Sequence, residues 1–228
     1  PYELCAATRN VLTPIHDPFL EARRYLAFKT LALAMMGRHV KATYFNDLLA
    51  LPNDSALVNR TGELRNIKRT RSERDVLETL LADPARPAYW IARHLNNLIA
   101  LVDVDPAFGP RGEEARPQID PESHSIACVL GRCGPERTLV VVNTGQETRS
   151  LTISRSETGL ADGPLPVDNL TGKHLDWPAD RDRLSLHLDP YDRLWIKTAP
   201  VTVPANRLVA VGTDEEMQNA LGARKSEP

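Results

Sequence analysis

The chain has 228 residues, 42% of them hydrophobic, and 28 Lys and Arg against 30 Asp and Glu leave a net charge of −2. That length holds one large domain or two small ones with a sizeable core, and a near-neutral balance supplies no field toward nucleic acid or an anionic membrane. No apolar run reaches the ~18 residues of a membrane span, and no basic-then-apolar signal segment opens the chain.

In chain order, residues 2–15 show no period and read as irregular. Asp17 is placed as an N-cap with Pro18 at the first helical position and Gly37 as the stop. Between them Phe19, Leu20, Tyr25, Leu26, Leu31, Ala34 and Met35 recur at helical spacing, so the C-terminal half of this helix is expected to be buried, with Met35 and Met36 as core filler. Residues 40–45 are a β-branched and aromatic run that reads as a short strand buried on both faces. A long polar excursion follows, rich in Pro, Asn, Asp and Gly, and ends in Arg60, Arg65, Lys68, Arg69 and Arg71. Ser72 with Asp75 has the capping-box spacing for a helix over 73–82, stopped by Asp83-Pro84. A second helix starts at Arg86 or Pro87, with Trp90, Ile91, Leu95, Leu98, Ile99 and Val102 on one face.

Residues 111–120 are charged and contain Pro, as a linker would. From there the period changes from helical to alternating. Six strands are predicted over 125–132, 137–143, 148–154, 167–175, 184–188 and 194–198. They carry no triad spacing and no phosphate loop, so the domain reads as structural. Residues 201–228 read as a frayed tail.

The motifs resemble one family. Tyr44-Phe45-Asn46-Asp47-Leu48-Leu49, Leu51-Pro52-Asn53-Asp54, and Thr61-Gly62 with Arg65-Asn66-Ile67-Lys68-Arg69 are similar to the last barrel strand and following loop of the sucrose phosphorylase group of glycoside hydrolase family 13. Pro1-Tyr2-Glu3-Leu4 resembles the segment after barrel strand seven, in the form carried by relatives acting on glucosylglycerate or glucosylglycerol. Asp105-Pro106-Ala107-Phe108, Asp168-Asn169-Leu170-Thr171-Gly172 and Leu188-Asp189-Pro190-Tyr191 resemble the barrel exit and C-terminal β domain. His39-Val40-Lys41 departs from the Gly-Val-Pro approach usual before that strand.

The resemblance implies an α/β plus all-β fold: the last strand and helices of a (β/α)8 barrel over 1–110, a linker over 111–120, an antiparallel β domain over 121–200 and a tail over 201–228. It implies a retaining α-glucoside phosphorylase or glucosyltransferase whose catalytic carboxylates lie outside this chain, on an N-terminal part of the barrel. The start at Pro1, within what would be a loop, leads to the expectation of a fragment. A truncated, non-catalytic remnant is the alternative.

Substrate holding is what the resemblance leaves to these residues. Thr61, Arg65, Ile67 and Arg69 match the pattern whose first arginine binds the glucosyl unit, and a guanidinium fork suits vicinal hydroxyls or a carboxylate that holds them. Tyr2 and Glu3 are placed on the acceptor side, where phosphate or a polyol would sit, and Asn53 and Asp54 border the site. The basic run has Glu63, Glu73 and Asp75 interspersed and no interleaved aromatic, which argues against a nucleic-acid reading. The six histidines show no ligand spacing, so no metal and no cofactor is expected. Cys5, Cys128 and Cys133 read as free thiols of a cytoplasmic protein.

Overall fold

The computed structural model describes residues 6–12, 16–36, 43–115, 124–160, 165–177 and 182–222. The chain divides into two compact units, one of Pro1–Leu26, Ala42–Asn96 and Val209–Pro228, the other of Ala27–Lys41 and Asn97–Leu208.

The first unit is helical, and two of its helices, over Pro18–Met35 and Pro87–Val104, continue into residues of the second. Asp17 caps α2 (Pro18–Met35) as its sequence predicts, its Oδ1 accepting from the N–H groups of Phe19 at 2.9 Å and Leu20 at 3.2 Å. Burial along α2 is centred on Ala22, Tyr25, Leu26 and Ala27 and returns at Leu33 and Ala34, whereas Met35 is 48% exposed and fills no core. Residues 2–15 are not wholly irregular, because Thr8–Leu12 form a short helix, α1. Tertiary contacts stabilise this single turn: Asn53 Oδ1 accepts from Ala7 N–H at 2.6 Å, and Asn10 Oδ1 accepts from Asn53 N–H at 2.7 Å.

The strand expected over 40–45 lies partly outside the described residues, and its described end is not a strand. Tyr44 is extended, and Phe45 opens α3 (Phe45–Leu48). A strand must hand its N–H and C=O groups to a neighbour, and no strand of this unit is present among the described residues.

The polar excursion folds into α4 (Ser55–Thr61) and a 3₁₀ turn (Leu64–Lys68), followed by α5 (Arg74–Ala82) and α6 (Pro87–Val104). The N-cap of α5 is Glu73, with no side-chain cap bond, so the Ser72 capping box is one residue out of register. On α6 the expected face is buried at Trp90, Ile91, Leu95, Leu98 and Val102. No helix among the described residues is long and apolar enough to cross a membrane.

The second unit contains the antiparallel β structure. Among the described residues, β1 (Glu113–Ala115), β2 (Ile126–Cys133), β3 (Glu136–Asn143), β8 (Arg193–Lys197), β5 (Val167–Asp168) and β6 (Lys173–His174) form one sheet in that spatial order. β4 (Arg149–Ser154) pairs with β7 (Arg183–Leu188), Leu151 opposite Leu186. β1 falls inside the expected linker, where Glu114 pairs with Gly131. The expected single strand over 167–175 is two strands joined by a turn. The Asp168 carboxylate draws in Leu170 N–H and Thr171 Oγ1, and Gly172 takes φ +74°. A four-residue helix, α7 (Arg155–Thr158), follows β4 through a capping box between Ser154 and Glu157.

Period-two alternation decides which side chains are inside. Ile126, Cys128 and Leu130 of β2, Leu139 and Val141 of β3, and Ile196 of β8 pack with Leu151, Ile153, Leu184, Leu186 and Leu188 of the β4–β7 pair, closed by Leu160 and Trp177. β3 is buried on its other face too, because the turn Pro106–Phe108 covers it. The Phe108 ring lies 4.7 Å from that of Trp195. A Cβ on Gly131 would meet Phe108 Cζ at 2.8 Å, so glycine is required there.

Beneath this turn sits a buried carboxylate. Asp105 is 1% exposed; its Oδ2 accepts from Trp195 Nε1 at 2.9 Å and Thr138 Oγ1 at 2.8 Å, and its Oδ1 pairs with Lys197 Nζ at 3.2 Å. Removing one partner of such a set leaves the others desolvated without compensation. Asp105→Ala is therefore expected to destabilise the protein by about 3–5 kcal/mol, read as a lowered urea midpoint; an unchanged midpoint would contradict the assignment.

Burial also pushes the Cys128 thiol from its ordinary 9.0 up to about 12. The unfolded thiol ionises first, so stability is expected to fall as pH rises from about 9 through 12. Native Cys128 should resist iodoacetamide at pH 8.5, as peptide mapping would show; rapid alkylation without unfolding would count against it.

Candidate functional site

The stretch around residues 43–71 is held by side chains that the sequence displays in its motifs. Asn46 is buried, and its Nδ2 donates to Lys68 O and Thr70 O, both at 3.1 Å. One amide thus gathers the far end of the loop back to its beginning. Tyr25 Oη donates to Asp47 O at 2.5 Å, and burial with the nearby Asp47 carboxylate raises its pKa far above the ordinary phenol value.

Asp54 caps α4, its Oδ1 accepting from Leu57 N–H at 2.8 Å, while its own N–H donates to Ile67 O at 2.7 Å. That bond sets the turn carrying Arg65 beside the Asn53-Asp54 pair. Thr70 Oγ1 donates to Pro52 O at 2.9 Å and closes the same ring. At the tip, Gly62 ends α4 at φ +70°, a left-handed conformation that glycine adopts freely. Thr61 Oγ1 donates to Leu57 O at 2.8 Å and accepts from Asn66 Nδ2 at 2.9 Å.

The expected site residues fall in different places. Tyr2 and Glu3 lie outside the described residues. Asn53 and Asp54 are brought close to the Arg65 turn, but their described polar atoms bind backbone or Asn10. Arg65 is exposed on the 3₁₀ turn, with Arg60 and Arg69 also exposed. Residues 60–71 hold five cations, Arg60, Arg65, Lys68, Arg69 and Arg71, against the one anion Glu63, so the loop is locally positive and rich in donors. Among the described residues no group of three or more His, Cys, Asp or Glu could hold a metal ion.

Sequence reasoning missed Asn46 as the organising side chain and Thr70 as its partner in closure. The signal was present: an Asn directly after two aromatics, at a point where the chain must turn.

No protein-family model matches the chain. It is 30% identical over 134 residues to glucosylglycerate phosphorylase of Allomeiothermus silvanus, a match covering 58% of this chain and 23% of that enzyme. The chain is similar to the sucrose phosphorylase group of glycoside hydrolase family 13. The likeness is partial, because the match takes in about a quarter of the phosphorylase's length. Among solved structures, AmyP in complex with maltose aligns with a TM-score of 0.49 at 13% identity, covering 79% of this chain and 36% of that one. The isomaltulose synthase of Klebsiella sp. LX3 aligns with a TM-score of 0.47 at 15% identity, covering 77% and 38%. Likenesses at this level add nothing to the sequence match.

In this loop Asn46 joins the beginning directly to the end. Asn46→Ala removes two bonds and leaves two carbonyls without that donor, and is expected to destabilise by about 1–3 kcal/mol. Limited trypsin digestion should then cut first at Arg65, Lys68 or Arg69; an unchanged cleavage pattern would show that the loop is held by other contacts.

Proposed function

We propose that the chain is part of a retaining α-glucoside phosphorylase or glucosyltransferase, its N-terminal residues contributing to the (β/α)8 barrel and the sheet from β1 onward forming the β domain that follows. The observation that carries this reading is the 30% identity over 134 residues to a glucosylglycerate phosphorylase. Retaining chemistry needs two carboxyl groups about 5–5.5 Å apart, one as nucleophile and one as acid/base. In this reading both come from a part of the enzyme that these residues do not include.

The role left to this chain is to hold the sugar and its acceptor. Arg65 binds the glucosyl unit, donating two directed hydrogen bonds to neighbouring hydroxyls or to a carboxylate that also holds them. Its exposure on a turn fixed by Asp54 and Thr61 supports the role, since an anchored loop loses less entropy on binding. Tyr2 and Glu3 line the acceptor side. A carboxylate at Glu3, where many sucrose-active relatives carry glutamine, repels a phosphate dianion placed directly beside it and suits a hydroxyl-rich acceptor. The free thiols Cys128 and Cys133 fit a reducing compartment, and we place the protein in the cytoplasm.

A second reading, a remnant without activity, draws support from Asn46, Asn53, Asp54 and Thr61, whose bonds tie the loop and require no substrate. An assay of the whole gene product separates the two. Incubated with glucosylglycerate and, in parallel, glycerol or phosphate, it should transfer the glucosyl unit, and to glycerol more readily than to phosphate. Arg65→Ala should lower kcat/KM by about 2–4 kcal/mol, or about 30- to 1,000-fold. Turnover that Arg65→Ala leaves unchanged would remove Arg65 from the site; no turnover with any α-glucoside would favour the remnant.

A further inference from the structure

The residues following the β structure do not fray. From Ala210 to Leu221 they pack into the helical unit through a short series of contacts. Arg93 Nη1 donates to Ala210 O at 3.0 Å while its guanidinium lies 4.3 Å from the centre of the Tyr89 ring. Gly212 lies against the indole of Trp90 so closely that a Cβ there would meet Cζ3 at 2.9 Å and Cη2 at 3.0 Å. Thr213 and Glu216 then cap α8 (Asp214–Gly222) reciprocally, with Thr213 N–H to Glu216 Oε2 at 2.7 Å and Glu216 N–H to Thr213 Oγ1 at 3.1 Å. Arg23 Nε approaches Asp214 Oδ2 at 3.5 Å, and Met217 and Leu221, one turn apart, are 0% and 1% exposed.

Two properties distinguish this segment from an ordinary core helix. Its nine residues are fewer than an isolated helix needs to persist in water, so docking and helix formation are one event. The residues leading into it are exposed from Pro204 to Val211, contain a single 3₁₀ turn (Ala205–Arg207) and are tied at Arg207, whose Nη1 lies 2.8 Å from Asp103 Oδ2, so the segment beyond has a fixed point from which to release.

We infer that residues 209–222 are a clasp: an intramolecular peptide ligand that binds and leaves the Trp90–Arg93–Arg23 face of the helical unit as one piece. The face accepts a helix with an acidic first turn, Asp214, Glu215 and Glu216, and apolar side chains four residues apart, Met217 and Leu221. The inference is independent of any catalytic role.

Hydrogen–deuterium exchange on the full chain tests it. The amides of α8 should exchange as one group, at least about tenfold faster than those of β3. Met217→Asp should abolish their protection while leaving that of α6 and β3 in place. A labelled synthetic peptide of residues 208–222, followed by fluorescence anisotropy, should bind the Met217→Asp protein and not the unmodified one. In the unmodified chain, α8 amides exchanging at the rate of β3 would make the helix part of the global fold and overturn the clasp. Loss of protection throughout the Met217→Asp variant, or failure of the peptide to bind it, would do the same.

Discussion

A single buried carboxylate underlies the β unit. Asp105 directly follows α6 and is the last residue before the Pro106–Phe108 turn, and its two oxygens reach β3 through Thr138 and β8 through Trp195 and Lys197. A charge taken so far out of water is tolerable only when every acceptor site is used. Here the constraint fixes several things at once: the angle at which the turn lies on the sheet, the inward rotamer of Trp195, and the small residue at Gly131 beneath Phe108. Lys197 shares its charge with Glu136 at 2.8 Å, so the ammonium is held from two sides.

The helical unit uses the same economy with neutral groups. Asn46 does for the loop over 43–71 what Asp105 does for the turn, joining segments more than twenty residues apart through one side chain. Asn143 repeats it in the β unit: fully buried, its Nδ2 reaches Glu147 O, Leu188 O and Asp189 O while its Oδ1 accepts from Gly145 N–H. In each case a short amide or carboxylate satisfies backbone groups that irregular chain would otherwise leave unpaired.

How much of this the sequence shows depends on whether local pattern or distant pairing decides. The alternation of Leu184, Leu186 and Leu188 with Arg183, Ser185 and His187 is local, and it marks β7 correctly. Asp17 and Pro18 mark the start of α2 for the same reason. Glu113 and Glu114 carry no strand signal; their pairing comes from β2, which needs a neighbour whatever its composition. Phe45 has a strand-like side chain, yet it belongs to a helix because Asn46 is drawn inward. α8 was invisible because two buried side chains in a polar segment make too weak a period. Of the expected site, the loop and its boundaries were legible, while the work done by Asn53 and Asp54 was not: their partners, Ala7, Asn10 and Ile67, are distant in sequence or hidden in the backbone.

The strand order β1-β2-β3-β8-β5-β6 puts short strands, three residues in β1 and two in β6, at the two described margins of the sheet. β1 presents Glu113 and Glu114 to solvent, and β6 presents Lys173 and His174. Among the described residues, a second chain seeking to extend the ladder along β1 or β6 would find two or three positions, acidic at one margin and basic at the other. The long apolar strands that could template aggregation, β2, β3 and β8, lie inside the order, although β1 covers only Leu130–Arg132 of β2. At its described margins the sheet is thus blunted by shortness and charge, which lowers its capacity to recruit copies of itself.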